Sequence, residues 1–440
     1  MTATALQNNA PIRHRDTLRK RSRTLLLTGL LTVFGLPLFA SATESASDPA
    51  TSMADAPLKL RGFGTLGMAR STSDQAEFVR DLSQPRGISN QWSGRIDSAL
   101  GVQANWQATP ELELVGQVVS RYQYDESRSP EVMSAFAKWE PDSRLALRVG
   151  RLGADFLMAA DSRLVGYSYL PVRPSVDFFG PLFFSYFDGA DASVTLPVGR
   201  GLVRAKAYAG NTAEKNSSAH QIWDASQSAL SGLVLDYFNG PWQLRASAAQ
   251  IKFSNDLPFG PLPGGLRAYG QALGIPSALA AADAIAVGGT TSRFTSLGAV
   301  YDDGPLQVQG MLNAIHHETG AFQNSTAGYL LAGYRLNSVT PFAGVSWWQS
   351  SVKALSTGLP NANADLIALN DGFNLVMRDS GSKQTTYTLG LRWDVQPKVA
   401  LKAQWDAVRG TSRSVFPYRG EQPGWDGTTN VFSLALDFVF

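Results

Sequence analysis

From residue 58 onward, apolar and polar residues alternate with a period of two, in segments of about ten residues broken by turn formers. Leu100, Val102, Ala104 and Trp106, preceded by Ile96 and Ser98, share one face, while Arg95, Asp97, Gln103 and Asn105 share the other. Leu112, Leu114, Val118 and Tyr122 alternate with Glu113, Gln117 and Arg121, and Val203, Ala205, Ala207 and Ala209 with Arg204, Lys206 and Tyr208. Tyr387, Leu389, Leu391 and Trp393 oppose Thr388, Arg392 and Asp394; Leu401, Ala403 and Trp405 oppose Lys402, Gln404 and Asp406. Successive strand side chains point to opposite faces, so each segment predicts a strand with one apolar and one polar side. Aromatic residues gather at the strand ends, at Trp106, Trp139, Trp242, Tyr334 and Trp393 and again at Tyr122, Tyr124, Trp347, Trp348 and Trp405. Two such girdles are what a lipid-embedded sheet requires, and a soluble sandwich does not. The predicted fold class is all-β, a transmembrane antiparallel barrel.

The connections alternate in length. Short turns fall at 109–110, 141–143, 198–201, 239–241, 302–305, 337–340 and 396–397. Longer loops fall near 70–90, 125–130, 152–184, 211–225, 254–291, 318–324, 353–383 and 411–427. Seven turns and eight loops join 16 strands, an even number that closes the sheet and leaves no edge. Faces near 294–301, 326–336 and 341–351 are ambiguous, because both registers leave apolar residues on each side.

Composition agrees with strands in lipid. Of 440 residues 44% are apolar and only 17% charged, yet the mean hydropathy is −0.10 and no run past residue 42 reaches the length of a membrane helix. One apolar and one polar face per strand average to such values. The absence of Cys excludes a disulfide framework and zinc ribbons. A balance of 38 basic and 36 acidic residues leaves no electrostatic footprint for nucleic acid. Six bases between Arg13 and Arg23, the apolar run 24–39 and Ala40-Ser41-Ala42 predict an export signal cleaved after Ala42. Its loss removes six bases and one acid, which makes the mature chain slightly acidic. The expected organisation is a signal peptide over 1–42, a flexible tail over 43–57 and a barrel over 58–440.

The last strand places Phe432, Leu434, Leu436, Phe438 and Phe440 on one face, and the chain ends on Phe. In strand number, loop rhythm and this terminal strand, the mature chain resembles the Gram-negative outer-membrane porins. The resemblance implies a barrel in outer-membrane lipid, usually a homotrimer, with the third external loop folded into the lumen. It implies that Phe438 and Phe440 are read by the barrel-assembly machinery. The function it implies is passive diffusion of ions and small hydrophilic solutes, with no catalytic residues, cofactor or metal. A channel selective for an organic acid, phosphate or aromatic compound, and a structural or adhesin barrel with a closed lumen, are the alternatives. Arg and Asp mix on the same strands, which favours a general channel over a selective anion channel.

Gly62-Phe63-Gly64-Thr65-Leu66-Gly67 matches the dinucleotide fingerprint but lacks the following helix, so the glycines are expected to admit close packing on the first strand. His316 and His317 point to opposite faces, with His317 expected on the lumen or its rim, and Gly166 to Leu170 lacks the second Gly of a nucleophile elbow. The loop 152–184 is long enough to enter the lumen and dense in Phe and Tyr. Its Asp155, Asp161 and Asp177 are the expected acidic side of a constriction, beside Arg163 and Arg173. Arg61, Arg95, Arg121, Lys138, Arg148 and Arg151 are the expected basic wall opposite, together setting a transverse field. After Pro276, the Ala-rich run 277–286 predicts a short helix over the mouth or against a neighbouring protomer.

Overall fold

A computed structural model describes residues 57–160, 162–182, 184–218, 221–351, 353–379, 381–411, 418–422 and 424–440. The expected signal peptide and all of the expected tail but Pro57 lie outside the described residues, as does Asp161.

Sixteen strands form a closed antiparallel barrel. They are β1 Leu58–Ser71, β2 Ala99–Gln107, β3 Leu112–Arg121, β4 Glu131–Trp139, β5 Leu145–Gly153, β6 Tyr186–Val198, β7 Gly201–Asn211 and β8 Ala229–Asn239. The second half comprises β9 Trp242–Lys252, β10 Thr291–Asp303, β11 Leu306–His317, β12 Ser325–Tyr334, β13 Val339–Ser350, β14 Lys383–Gln396, β15 Val399–Gly410 and β16 Thr428–Val439. Each pairs with its neighbours in sequence. Short turns occupy one end of the barrel, and eight longer loops, L1 to L8, follow the odd-numbered strands at the other.

The sheet closes where β16 meets β1, with Phe63 opposite Val439 and Ser71 opposite Val431. Here the glycine fingerprint finds its role. A Cβ on Gly62 would sit 2.1 Å from the Phe440 ring, and one on Gly64 would sit 2.4 Å from the Phe438 ring. The glycines seat the two terminal rings flat across the closing pair.

Outward-facing Leu66, Val149, Leu233 and Leu297 are 61–63% exposed. Large apolar side chains repeated at that exposure around a sheet are stable only against lipid. The girdle beside the short turns is present at Trp106, Trp139, Trp242, Tyr334 and Trp393, all exposed. The other girdle needs correction. Trp347 faces outward but Trp348 is buried on the lumen side, since adjacent strand residues cannot share a face, and Tyr122 is buried beneath the Arg95 guanidinium.

α1 Val176–Phe179 lies in L3, L5 carries helices α2 Leu262–Ala272 and α3 Pro276–Ala284, and L7 carries α4 Ala364–Asp379. The helix α3 is the expected Ala-rich one, with Pro in its first turn. Leu266, Ala282, Ile285 and Phe373 join α2, α3 and α4 in a separate small core.

Candidate functional site: a lumen partitioned by the third loop

L3, residues 154–185, folds into the barrel because its aromatic side chains find an apolar wall there. Phe156, Phe178, Phe179 and Phe184 form one cluster with Leu230, Val234, Ile251, Phe294, Met311, Tyr329 and Trp348 on the inner faces of β8 to β13. The Phe156 and Phe294 rings meet edge-on at 4.8 Å, and those of Phe178 and Tyr329 at 5.0 Å. Burying each such side chain stabilises by roughly 1.5–3 kcal/mol. This also resolves the ambiguous strands. The inner faces of β10, β12 and β13 carry the large apolar side chains Phe294, Tyr329 and Trp348 because they receive the loop.

Polar anchors fix the rest of the loop. Arg173, 1% exposed, donates to Asp97 of L1 at 2.7 and 2.9 Å, to Asp406 of β15 at 3.1 Å and to Ser433 of β16 at 2.6 Å. Lys402 of β15 pairs with Asp437 at 2.9 Å and donates to the carbonyls of Gly166, Tyr169 and Pro171. Arg392 of β14 donates to the carbonyls of Tyr167 and Tyr169. Gly166 is pressed so closely on this wall that a Cβ would lie 2.0 Å from the Asp437 carboxylate.

Of the acidic residues expected to face a basic wall, the two that are described, Asp155 and Asp177, are anchors as well. Asp155 accepts from Arg245 at 2.7 Å and pairs with Lys206. Burial opposes its charge, yet those two cations hold its carboxyl below the usual range. Asp177 is fully buried and accepts from Ser346 at 2.7 Å and from the Gln384 amide. Its burial pushes the carboxyl above the usual range.

The expected basic residues separate into three groups. Arg61, Lys138 and Arg148 lie on the inner face of β1, β4 and β5, each partly exposed. Lys138 pairs with Glu140 at 2.7 Å, and Arg148 donates to both oxygens of Asp191 at 3.0 Å. Arg121, at the loop end of β3, donates to Ser83 and lies 3.8 Å from Glu131. The other two leave the expected wall. Arg95 belongs to L1, where it donates to the Gly87 carbonyl. Arg151 shares a face with outward Val149 by register, and donates to Asp188 and to the Val132 carbonyl.

A wall network joins the expected Asp155 to four residues outside the expected set, as Arg204–Asp236–Arg245–Asp155–Lys206 across β7, β8, β9 and L3. Its strand members lie on polar faces of alternating segments, which is the sequence signal available; its pairing depends on cross-strand register. On the loop side, Glu214 accepts from the Ser185 backbone N–H at 2.7 and 2.8 Å between Arg121 and Arg163. Burial outweighs those cations and pushes its carboxyl up to about 7. His317 lies on the inner face, with Nδ1 2.6 Å from the Ser292 hydroxyl.

Between L3 and the short turns at 199–201 and 239–242 lies a cavity of about 870 Å³. Met158, Leu170 and Phe179 form its loop side, and Val300, Tyr329 and Leu331 part of its wall.

No family model and no curated protein matches the chain by sequence. Solved structures do match its fold. A Salmonella typhi OmpF complex with daunomycin is 12% identical with a TM-score of 0.51, covering 87% of this chain and 97% of that one. The outer-membrane channel DcaP of Acinetobacter baumannii is 12% identical with a TM-score of 0.50, covering 89% and 99%. The trimer form of in-vitro folded OmpT of Vibrio cholerae is 13% identical with a TM-score of 0.50, covering 88% and 100%. The fold is that of the outer-membrane porins. In this porin-like barrel the third loop enters the lumen as the sequence implies, held by paired charges and buried rings.

Proposed function

We propose that the protein is an outer-membrane channel through which ions and small hydrophilic solutes diffuse down their gradients. One observation carries this reading: along β2 to β5 the inner face presents Gln103, Asn105, Glu113, Gln117, Lys138 and Arg148, all partly exposed beside the inserted loop. Charged and amide groups in such a row cost little against water and much in a sealed apolar interior. The proposal includes export with removal of residues 1–42, recognition of Phe438 and Phe440 by the assembly machinery, and a homotrimer in outer-membrane lipid. Purified, heat-modifiable protein in planar bilayers is expected to give stepwise ion-conducting openings, in threes for a trimer. Correctly folded protein without conductance would overturn the channel and favour a closed structural barrel.

A second reading, a substrate-selective channel, is favoured by the cavity under L3. Leu170, Phe179, Val300 and Leu331 in its lining give it an apolar surface that hydrated ions do not require. Liposome swelling across sugars, amino acids and organic acids separates the two readings: a general channel ranks solutes by size, a selective one by chemistry.

A further inference from the structure

The cavity beneath L3 is walled largely by carbon, with Leu170 and Phe179 of the loop facing Val300, Tyr329, Leu331 and Phe238. Gln243, Gln307 and Gln309 add neutral amides. The two acids that reach the cavity are held by cations, Asp302 by Arg335 at 2.6 Å and Asp406 by Arg173 at 3.1 Å. Its size falls within the range of small-molecule sites, and an apolar lining with a few placed polar groups is how such sites are built.

Arginines outnumber acids near its margin, where Asp302, 37% exposed, is the acid that shows and is paired with Arg335. The Arg204 guanidinium lies 5.4 Å from the centroid of the Phe238 ring, itself part of the lining. Arg204 is 38% exposed, whereas its partner Asp236 is 1% exposed, so this pair shows the lumen its positive end. Arg148 repeats the arrangement: it lies 5.3 Å from the Phe136 ring, at 26% exposure against 4% for Asp191. Exposed Arg200 lines the cavity at the short turn.

We propose that the lumen binds and passes small organic anions with an apolar body, such as aromatic carboxylates. This rests on the channel reading above. The carboxylate accepts charge-assisted hydrogen bonds from Arg204, and the ring lies against Phe238, at the edge of the apolar lining. Neither element suffices alone: the margin draws any anion, and the apolar wall retains only one that has a body to bury.

The test uses the full protein in planar bilayers, with benzoate and gluconate as probes of equal charge and opposite polarity. Benzoate is expected to reduce the chloride current saturably and to carry current itself, with half-effect at a concentration at least about tenfold below that of gluconate. Arg204→Gln is expected to weaken the benzoate effect about tenfold, the loss of one charge-assisted contact. Phe238→Gln is expected to bring benzoate toward gluconate. Equal behaviour of benzoate and gluconate in a conducting wild-type channel overturns this inference and leaves the channel reading intact. Failure of the folded protein to conduct overturns both. Where Arg204→Gln does not fold, Arg200→Gln and the wild-type ratio of the two probes decide.

Discussion

Two arcs of the barrel wall present similar inner faces and behave differently. On β14 to β16, Arg392, Lys402, Gln404, Asp406, Ser433 and Asp437 all lie buried beneath L3. On β2 to β5, Gln103, Asn105, Glu113, Lys138 and Arg148 remain partly open. On the covered arc every charge has a counter-charge or a set of backbone carbonyls, because a buried ion without one is unaffordable by several kcal/mol. On the open arc, pairs such as Lys138 with Glu140 exchange with water, and such pairs contribute little to stability. The first arc holds the partition, and the second stays open to the lumen.

The sharpest way to break this comparison is Arg173→Leu. It strands Asp97 and Asp406 beneath the loop, and a loss of about 3–5 kcal/mol is expected in thermal or denaturant unfolding. The freed loop is expected to give larger, noisier unit conductance. Unchanged stability would erase the distinction between the arcs.

Next in size is a pH effect at Glu214. Its folded carboxyl stays protonated up to about 7, above the unfolded value of 4.5. The unfolded state therefore loses its proton first, and the stability this group contributes below pH 4.5 is lost as pH rises to about 7, a few kcal/mol in all. Protection of L1, L3 and L4 from proteolysis is expected to fall across that window, and Glu214→Gln to flatten the dependence.

A smaller effect tests the anchoring acid. Asp155→Asn leaves Lys206 and Arg245 short of one charge, and a loss of about 1–3 kcal/mol with little change in reversal potential is expected. A shifted reversal potential at wild-type stability would instead put Asp155 on the solute path. The smallest stability effect belongs to the open arc. Lys138→Gln is expected to change stability by less than about 1 kcal/mol while moving the reversal potential in a salt gradient toward cations.

The fold was largely legible in the sequence. Alternation along Leu112 to Arg121 and Tyr387 to Trp393 depends only on neighbours two apart, so strands, faces and turns can be read without knowing what packs against them. The terminal Phe438 and Phe440 were legible too, although the role of Gly62 and Gly64 in seating their rings required the β1–β16 register. The site was less legible. Asp155 and Asp177 look like solute-facing acids on a loop, and only the positions of Arg245, Lys206, Ser346 and Gln384 make them anchors. Arg151 changed face because register, not residue type, decides which side of a strand meets lipid.

The pattern of two by itself determined an even-stranded barrel, the girdle beside the short turns and the long third loop rich in Phe. It failed at β10, β12 and β13, where Phe294, Tyr329 and Trp348 made both faces apolar. Only the tertiary structure decided that these rings receive L3, which arc that loop covers and which it leaves open. The physical reason is that alternation records the difference between lipid and lumen, whereas the division of the lumen between loop and water depends on contacts between residues hundreds of positions apart.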